Sequence, residues 1–245
     1  MFSPWRIYKI LASFFICSIL IGESLPAYAL KGSSHFFGLR SAVVQSRLIR
    51  SDADSATGTF SILSNTGIVS ELVYGYNLWG AWNTYLEADY TAYTYEGPTS
   101  RTFTGLEQST LQYGWTNELA YRYVRLFVTV QNRPLILLKE ESAANYLVDK
   151  VDIQLANIGI KLTARAKDFD LHAVGYVSVP ATTPLYNDSE LTTLQSSLHG
   201  DFYIRFGKEF RYGFHFLYQL DNYTVGNATY TVNHLGFGLF TQYGF

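Results

Sequence analysis

Sulfur is almost absent: there is one cysteine and one methionine in 245 residues. The cysteine, Cys17, falls in an N-terminal apolar run, so the rest of the chain carries no disulfide or thiol chemistry. Proline is scarce, at 6, and after residue 29 no apolar run approaches the roughly 20 residues a membrane-crossing helix needs. Charge of one sign is missing too. The 18 Lys and Arg nearly balance the 20 Asp and Glu, for a net charge of -2, which excludes the basic surface that nucleic-acid binding requires. No compact His, Asp and Glu spacing suggests a metal site. No serine stands in a Gly-x-Ser-x-Gly context, so a nucleophile elbow is missing. The expectation is a chain with no metal, no other cofactor and no assigned catalytic residue.

What is abundant points elsewhere. Aromatic residues make up 17% of the chain and there are 19 glycines, a composition that suits an all-β protein. At the N-terminus, Arg6 and Lys9 precede the apolar stretch Ile10 to Ile21, followed by Gly22, Pro26 and the small-x-small pattern Ala27-Tyr28-Ala29. This reads as a secretory signal peptide over 1–29, cut after Ala29. A retained helical anchor is the weaker alternative, since the apolar run is too short to cross a bilayer. Phe14, Phe15 and Ile16 precede Cys17 in place of a lipoprotein box, so no lipid anchor is expected. Residues 30–245 then form one domain.

Ten strand-like segments can be read, near 35–49, 67–78, 82–95, 107–122, 125–138, 150–164, 169–179, 194–206, 209–221 and 229–245. Tight turns at Trp79-Gly80-Ala81, Tyr123, Ala166-Lys167-Asp168 and Gly207-Lys208 alternate with longer polar stretches. The longer ones are Ser51 to Thr66, Glu96 to Leu106, Lys139 to Asp149, Pro180 to Thr193 and Asn222 to Ala228. An even number of antiparallel strands with short turns at one end and long loops at the other suits a transmembrane up-and-down β-barrel, because lipid tolerates no open sheet edge. Ten strands are expected, with eight or twelve as neighbours.

Alternation is clearest in the ninth segment. Phe210, Tyr212, Phe214, Phe216, Tyr218 and Leu220 share one face, and Arg211, Gly213, His215, Gln219 and Asp221 the other. The sixth breaks parity near Asn157: Val151, Ile153 and Leu155 are apolar before it, Ile158, Ile160 and Leu162 after, which suggests a bulge. Periodicity alone does not say which face is inside, and a soluble lipocalin-like barrel would bury the apolar one. In that case Asn222-Tyr223-Thr224 and Asn227-Ala228-Thr229 would be glycosylation sequons. Two features favour lipid outside. Aromatics, among them Tyr74, Tyr76, Trp82, Tyr121, Tyr123, Phe206, Phe210 and Tyr212, crowd one set of strand ends as an interfacial girdle would. The chain also ends on the alternating stretch Leu235, Phe237, Leu239, Thr241, Tyr243 and Phe245.

That terminal stretch resembles the C-terminal strand signal of bacterial outer-membrane β-barrels, and residues 30–245 as a whole resemble that class, though no single family within it. The resemblance implies residence in the outer membrane of a Gram-negative bacterium, and contact with its lipids and lipopolysaccharide. It also implies recognition of the closing strand by the barrel-assembly machinery. Both termini would then be periplasmic and the longer loops external.

With the apolar face on lipid, the other face lines a narrow lumen carrying both signs of charge. Glu71, Glu87 and Asp89 form an acidic cluster at mid-height, with Glu71 opposite Asp89. Counting from Lys208 sets His199 opposite His215, with Asp201 one step below, on the wall across from the acidic cluster. Arg133 lies at similar height and can reach in. Three roles compete: a paired structural network, a polarised constriction passing small solutes or cations, and a His-Asp active site. Omptin proteases also have ten strands and use acidic and His-Asp pairs, but at the outer rim, so their residues are not carried over onto mid-wall positions. The outer loops lean acidic, which would attract cations and allow divalent bridges to lipopolysaccharide. The functional expectation is a small porin or channel, cation-preferring, or a structural scaffold with a charged lumen. The alternative is an outer-membrane hydrolase acting on lipid or peptide.

Overall fold

The computed structural model describes residues 35–52, 59–79, 81–142, 145–167, 169–182, 185–186, 190–207 and 210–245. The signal peptide expected over 1–29 with its cleavage after Ala29, and Cys17, Gly80, Asp168, Lys208 and Glu209, lie outside them. Thirteen strands form one sheet: β1 (His35–Asp52), β2 (Thr59–Ser64), β3 (Gly67–Trp79), β4 (Trp82–Glu96), β5 (Thr102–Thr104), β6 (Glu107–Tyr121), β7 (Val124–Ser142), β8 (Asn145–Arg165), β9 (Phe169–Pro180), β10 (Leu185–Tyr186), β11 (Glu190–Phe206), β12 (Phe210–Val225) and β13 (Ala228–Gly244). All pairings are antiparallel except β5 with β8.

Ten of them close a ring in the order β1, β3, β4, β6, β7, β8, β9, β11, β12, β13 and back to β1. Closure is complete to the last residue, since His35 and Phe245 exchange both backbone hydrogen bonds at 3.0 Å. The ring matches the ten expected segments. Three further strands lie in stretches expected to be loops. β2 continues the wall above β3, pairing with β1 and β4 across an irregularity at Asn65 and Thr66. β5 and β10 are short strips within the upper connections.

Which face meets lipid is settled by exposure. Leu72, Leu86, Leu111, Trp115, Ile158, Ile160, Phe202, Phe214, Phe216, Phe237 and Leu239 all point outward and are exposed, whereas the polar positions between them point in. A soluble barrel would reverse this, because apolar area left in water costs roughly 25 cal/mol per Å². Tyr74, Tyr121, Tyr123, Phe210, Tyr212, Tyr243 and Phe245 form the exposed lower girdle. Trp82 does not join it: it is buried, and its indole donates to Asn117 Oδ1 at 3.3 Å.

The connections correct the expected alternation of short and long. The lower turns are all short, but two of the five upper connections are tight as well. β7 and β8 pair as far as Lys139↔Leu147 and beyond, and β12 and β13 pair up to Val225↔Ala228 around Gly226, whose φ of 57° suits a glycine. Lys139 to Asp149 and Asn222 to Ala228 are therefore mostly strand.

The sixth expected segment, now β8, has no bulge at Asn157. Its register with β7 runs unbroken from Val124↔Leu162 through Thr129↔Asn157 to Leu135↔Val151. Parity of the apolar residues changes because the inner wall changes character. Below Asn157 the interior is polar and Ile158, Ile160 and Leu162 face lipid. Above it the interior is apolar, and Val151, Ile153 and Leu155 face in. The upper interior is a packed core in which Val44, Leu48, Ile62, Tyr95, Leu135, Leu137, Val148, Tyr223 and Val232 meet.

Candidate functional site

The upper core exists because one hairpin leaves the wall. β6 pairs with β7 only up to Tyr113↔Asn132. Two residues on stands Pro134, which has no N–H to continue a ladder. Above it the β7–β8 hairpin turns in across the mouth, so that Leu135 and Leu137 on one face and Ile136 and Leu138 on the other are all at most 3% exposed. The freed edge of β7 is met by side chains from the opposite wall. Tyr230 donates to the Leu138 carbonyl at 2.9 Å, Arg50 Nη1 donates to the same carbonyl at 2.5 Å, and the Tyr223 hydroxyl donates to the Ile136 carbonyl. Arg50 also pairs with Asp52 at 2.8 Å and Glu140 at 3.7 Å, and lies over the Tyr146 ring. On the other flank Phe103 stacks on Tyr146 and Gln108 Nε2 donates to the Val148 carbonyl at 3.0 Å.

Beneath this cover lies a cavity of about 100 Å³ lined by Glu71, Asp89, Arg133, His199, Asp201 and His215 among others. It adjoins a second, of about 110 Å³, lined by Glu71, Glu87, Asp89, His199 and Asp201. All seven lumen candidates are thus brought together at mid-height. Glu71 pairs in register with Asp89, as counted from the sequence. Arg40 bridges the two walls, with Nη1 at 3.2 Å from Glu71 Oε2 and 3.4 Å from Asp201 Oδ2. Among the described residues Glu87 and Asp89 have neutral hydrogen-bond partners: Thr116 Oγ1 donates to Glu87 at 3.3 Å, and Gln112 Nε2 to Asp89 at 2.7 Å.

Arg133 does more than reach in. It forms an ion pair with Asp221 at 2.8 Å across the lumen and donates to Ser197 Oγ at 3.1 Å, while Ser197 and Gln219 also donate to Asp221. Asp221, Ser197, His234, Lys161 and Arg50 were missed as site residues. Their inward parity is the available signal for all five, but the bulge expected near Asn157 hides that of Lys161, and Arg50 lies just past the first expected segment, 35–49. Arg122 is an exposed turn residue with φ 53°.

The His199–His215 juxtaposition is corrected. His199 pairs with Gln219, and His215 with Tyr203. The turn is wider than Gly207-Lys208, with Phe206↔Tyr212 the nearest pair and Gly207 at φ 86°. The slip is an even number of residues, so both histidines keep their inward face. His199 Nδ1 is 2.8 Å from the Tyr176 hydroxyl, with the rings stacked. His215 Nδ1 lies 3.8 Å from Asp201 Oδ1. Among the described residues no cluster of three or more His, Cys, Asp or Glu is placed to hold a metal ion.

On the closing strand, Leu235, Phe237, Leu239, Tyr243 and Phe245 all face outward and are exposed. Inside it, Gly238 approaches the β1 backbone so closely that a Cβ would collide with the Ser41 carbonyl.

This ring, with its lipid-facing belt and charged interior, is the fold of bacterial outer-membrane β-barrels. Among solved structures the chain is similar to the outer membrane protease OmpT from Escherichia coli, with a TM-score of 0.51, 9% identity, and coverage of 88% of this chain and 98% of that one. It is also similar to an outer membrane channel from Pseudomonas putida F1, with a TM-score of 0.49, 13% identity, and coverage of 88% and 96%. No protein-family model matches the chain, and no curated protein sequence matches it. At such identities the likeness extends to fold and not to activity.

Proposed function

We propose that this chain is an integral protein of the bacterial outer membrane whose barrel is closed, a scaffold-type barrel with a charged, internally paired lumen. The observation that carries this reading is the β7–β8 hairpin, whose backbone at residues 136–138 is held across the mouth by Arg50, Tyr223 and Tyr230 from the opposite wall. Below it the lumen is divided into cavities of about 80 to 110 Å³ by bridging pairs such as Arg40–Glu71 and Arg133–Asp221. A water-filled conduit needs a continuous polar path, and an apolar core occupies the upper part of that path.

The cation-preferring pore is the less supported form, because Glu71 and Asp201 are already paired to Arg40. The hydrolase alternative has no observation in its favour: Ser197, the serine nearest the lumen carboxylates, is 4% exposed and bonded to Asp221 beneath the hairpin. Bilayer lipid, lipopolysaccharide and the barrel-assembly machinery are the partners that follow from this reading, through the outward belt and the closing strand. The test is conductance in a planar bilayer. The folded protein is expected to be silent, and a stable open conductance would refute the closed reading.

A further inference from the structure

Two backbone edges that are in register with each other are left unpaired at the mouth. β6 and β7 pair up to Tyr113↔Asn132. Carried upward, the same register sets Leu111 opposite Pro134, Ser109 opposite Ile136 and Glu107 opposite Leu138, and none of these pairs is made. The Ile136 and Leu138 carbonyls accept from Tyr223, Tyr230 and Arg50, so they lie on the edge of β7 away from β8. Alternate residues of a strand present their N–H and C=O groups to the same edge, and for β7 this is the edge that meets β6 lower down. On β6 the Ser109 carbonyl also accepts from a side chain, Lys150 Nζ at 3.1 Å, in place of a strand. Matching carbonyls on both strands thus have substitute donors. Pro134, lacking an N–H, takes away a rung where wall and hairpin part.

We propose that the β7–β8 hairpin has a second position, laid into the wall with β7 paired to β6 in this register, and that moving there opens the upper lumen. The closed barrel of the preceding reading is its resting state. Its hinge is at Arg133 and Pro134: below it Asn132 keeps its pairing and Arg133 its bond to Asp221. The hairpin moves as a unit, because β7 and β8 are paired from Leu135↔Val151 to Glu140↔Tyr146. Side-chain parity suits both positions. Val130 faces lipid and is exposed, and Ile136 and Leu138 share its parity, so in the wall they lie outward beside Leu111 while Leu135 and Leu137 stay inward. The move gives up the bonds from Arg50, Tyr223 and Tyr230 and the short pairing of β5 with β8. It gains backbone rungs along a free edge. Exchange of one set of bonds to the same carbonyls for another is what allows a packed element two discrete seats.

The test is disulfide trapping in the folded barrel, with Cys17→Ser removing the chain's one cysteine. Ser109→Cys with Ile136→Cys marks the second position, since directly opposed residues have Cα atoms about 5.5 Å apart, within disulfide range. Leu111→Cys with Leu138→Cys, four residues out of that register, is the control. Folding is checked by heat-dependent gel mobility, and Gln108→Cys with Leu137→Cys replaces the first pair should it fail to fold. Under copper–phenanthroline the in-register pair is expected to link in most chains, several-fold faster once Tyr223→Phe and Tyr230→Phe are added, and the linked barrel to conduct steadily until it is reduced. The control pair should link far more slowly. With a silent wild type, an in-register pair that stays unlinked, links no faster than the control, or links without conducting overturns the second position and leaves the closed reading standing. Steady conductance of the unaltered wild type overturns the closed reading, and this resting state with it.

Discussion

The hydroxyl of Tyr230, on the last strand of the barrel, donates to the backbone carbonyl of Leu138 at 2.9 Å, although Leu138 belongs to a hairpin rooted in the opposite wall. Tyr223 makes the equivalent bond to Ile136. Both tyrosines are at most 2% exposed. A wall-to-hairpin bond of this kind replaces the ladder that β7 gave up at Pro134.

Removing these donors should loosen the hairpin without disturbing the ring. Tyr223→Phe and Tyr230→Phe are each expected to lower stability by about 1 kcal/mol, more if the freed carbonyl finds no other donor. Urea titrations followed by gel mobility give the global change. Hydrogen exchange at Leu135 to Leu138 should accelerate in the double variant, and unchanged exchange there would count against the assigned contacts.

Arg133 and Asp221 are each 3% exposed as side chains and lie 2.8 Å apart. Truncating one partner leaves the other as an uncompensated buried charge. Arg133→Ala is expected to cost about 3 kcal/mol or more, and the double variant Arg133→Met with Asp221→Leu distinctly less. A double variant as unstable as the single one would show that the pair does not act as a unit.

The acidic cluster divides by partner. Glu71→Gln removes the charge that Arg40 faces and should destabilise by about 1 kcal/mol, Arg40 being partly exposed and retaining Asp201. Among the described residues Asp89 has no cation in ion-pair contact, and its Oδ1 is buried without a hydrogen bond, so Asp89→Asn should be neutral or stabilising. Urea midpoints that fall equally for both would contradict this division.

The ring and its inside-out pattern were legible from the sequence, because alternation in stretches such as Phe210 to Leu220 and Leu235 to Phe245 needs no long-range information. The terminal Phe245 and the interfacial aromatics then chose the face. Two things were not legible. Residues Val151, Ile153 and Leu155 looked like a parity break, since nothing local tells an apolar residue facing lipid from one facing an apolar interior. The hairpin's inward turn depends on donors from Arg50, Tyr223 and Tyr230, each more than 80 residues away from its acceptor. Mid-lumen placement of Glu71 and Asp89 was reachable, their turn being tight. That of His199 against His215 failed because the hairpin at Gly207 is wider than the shortest turn.

The closing strand also makes a claim on assembly. Phe245 exchanges both backbone bonds with His35 and stacks on its ring at 5.6 Å. Deleting Phe245 removes that closure and the terminal aromatic together. The yield of heat-modifiable, membrane-inserted protein should fall sharply, and undiminished yield would mean that assembly reads another feature.

The central claim, that the hairpin closes the barrel, is tested most directly by single-channel recording of two proteins side by side. One is the full barrel, and in the other residues 136–148 are replaced by a tight turn joining β7 to β8. The folded wild type is expected to show no steady conductance and the shortened variant a persistent one. A conducting wild type, or a shortened variant that folds and stays silent, would contradict the account.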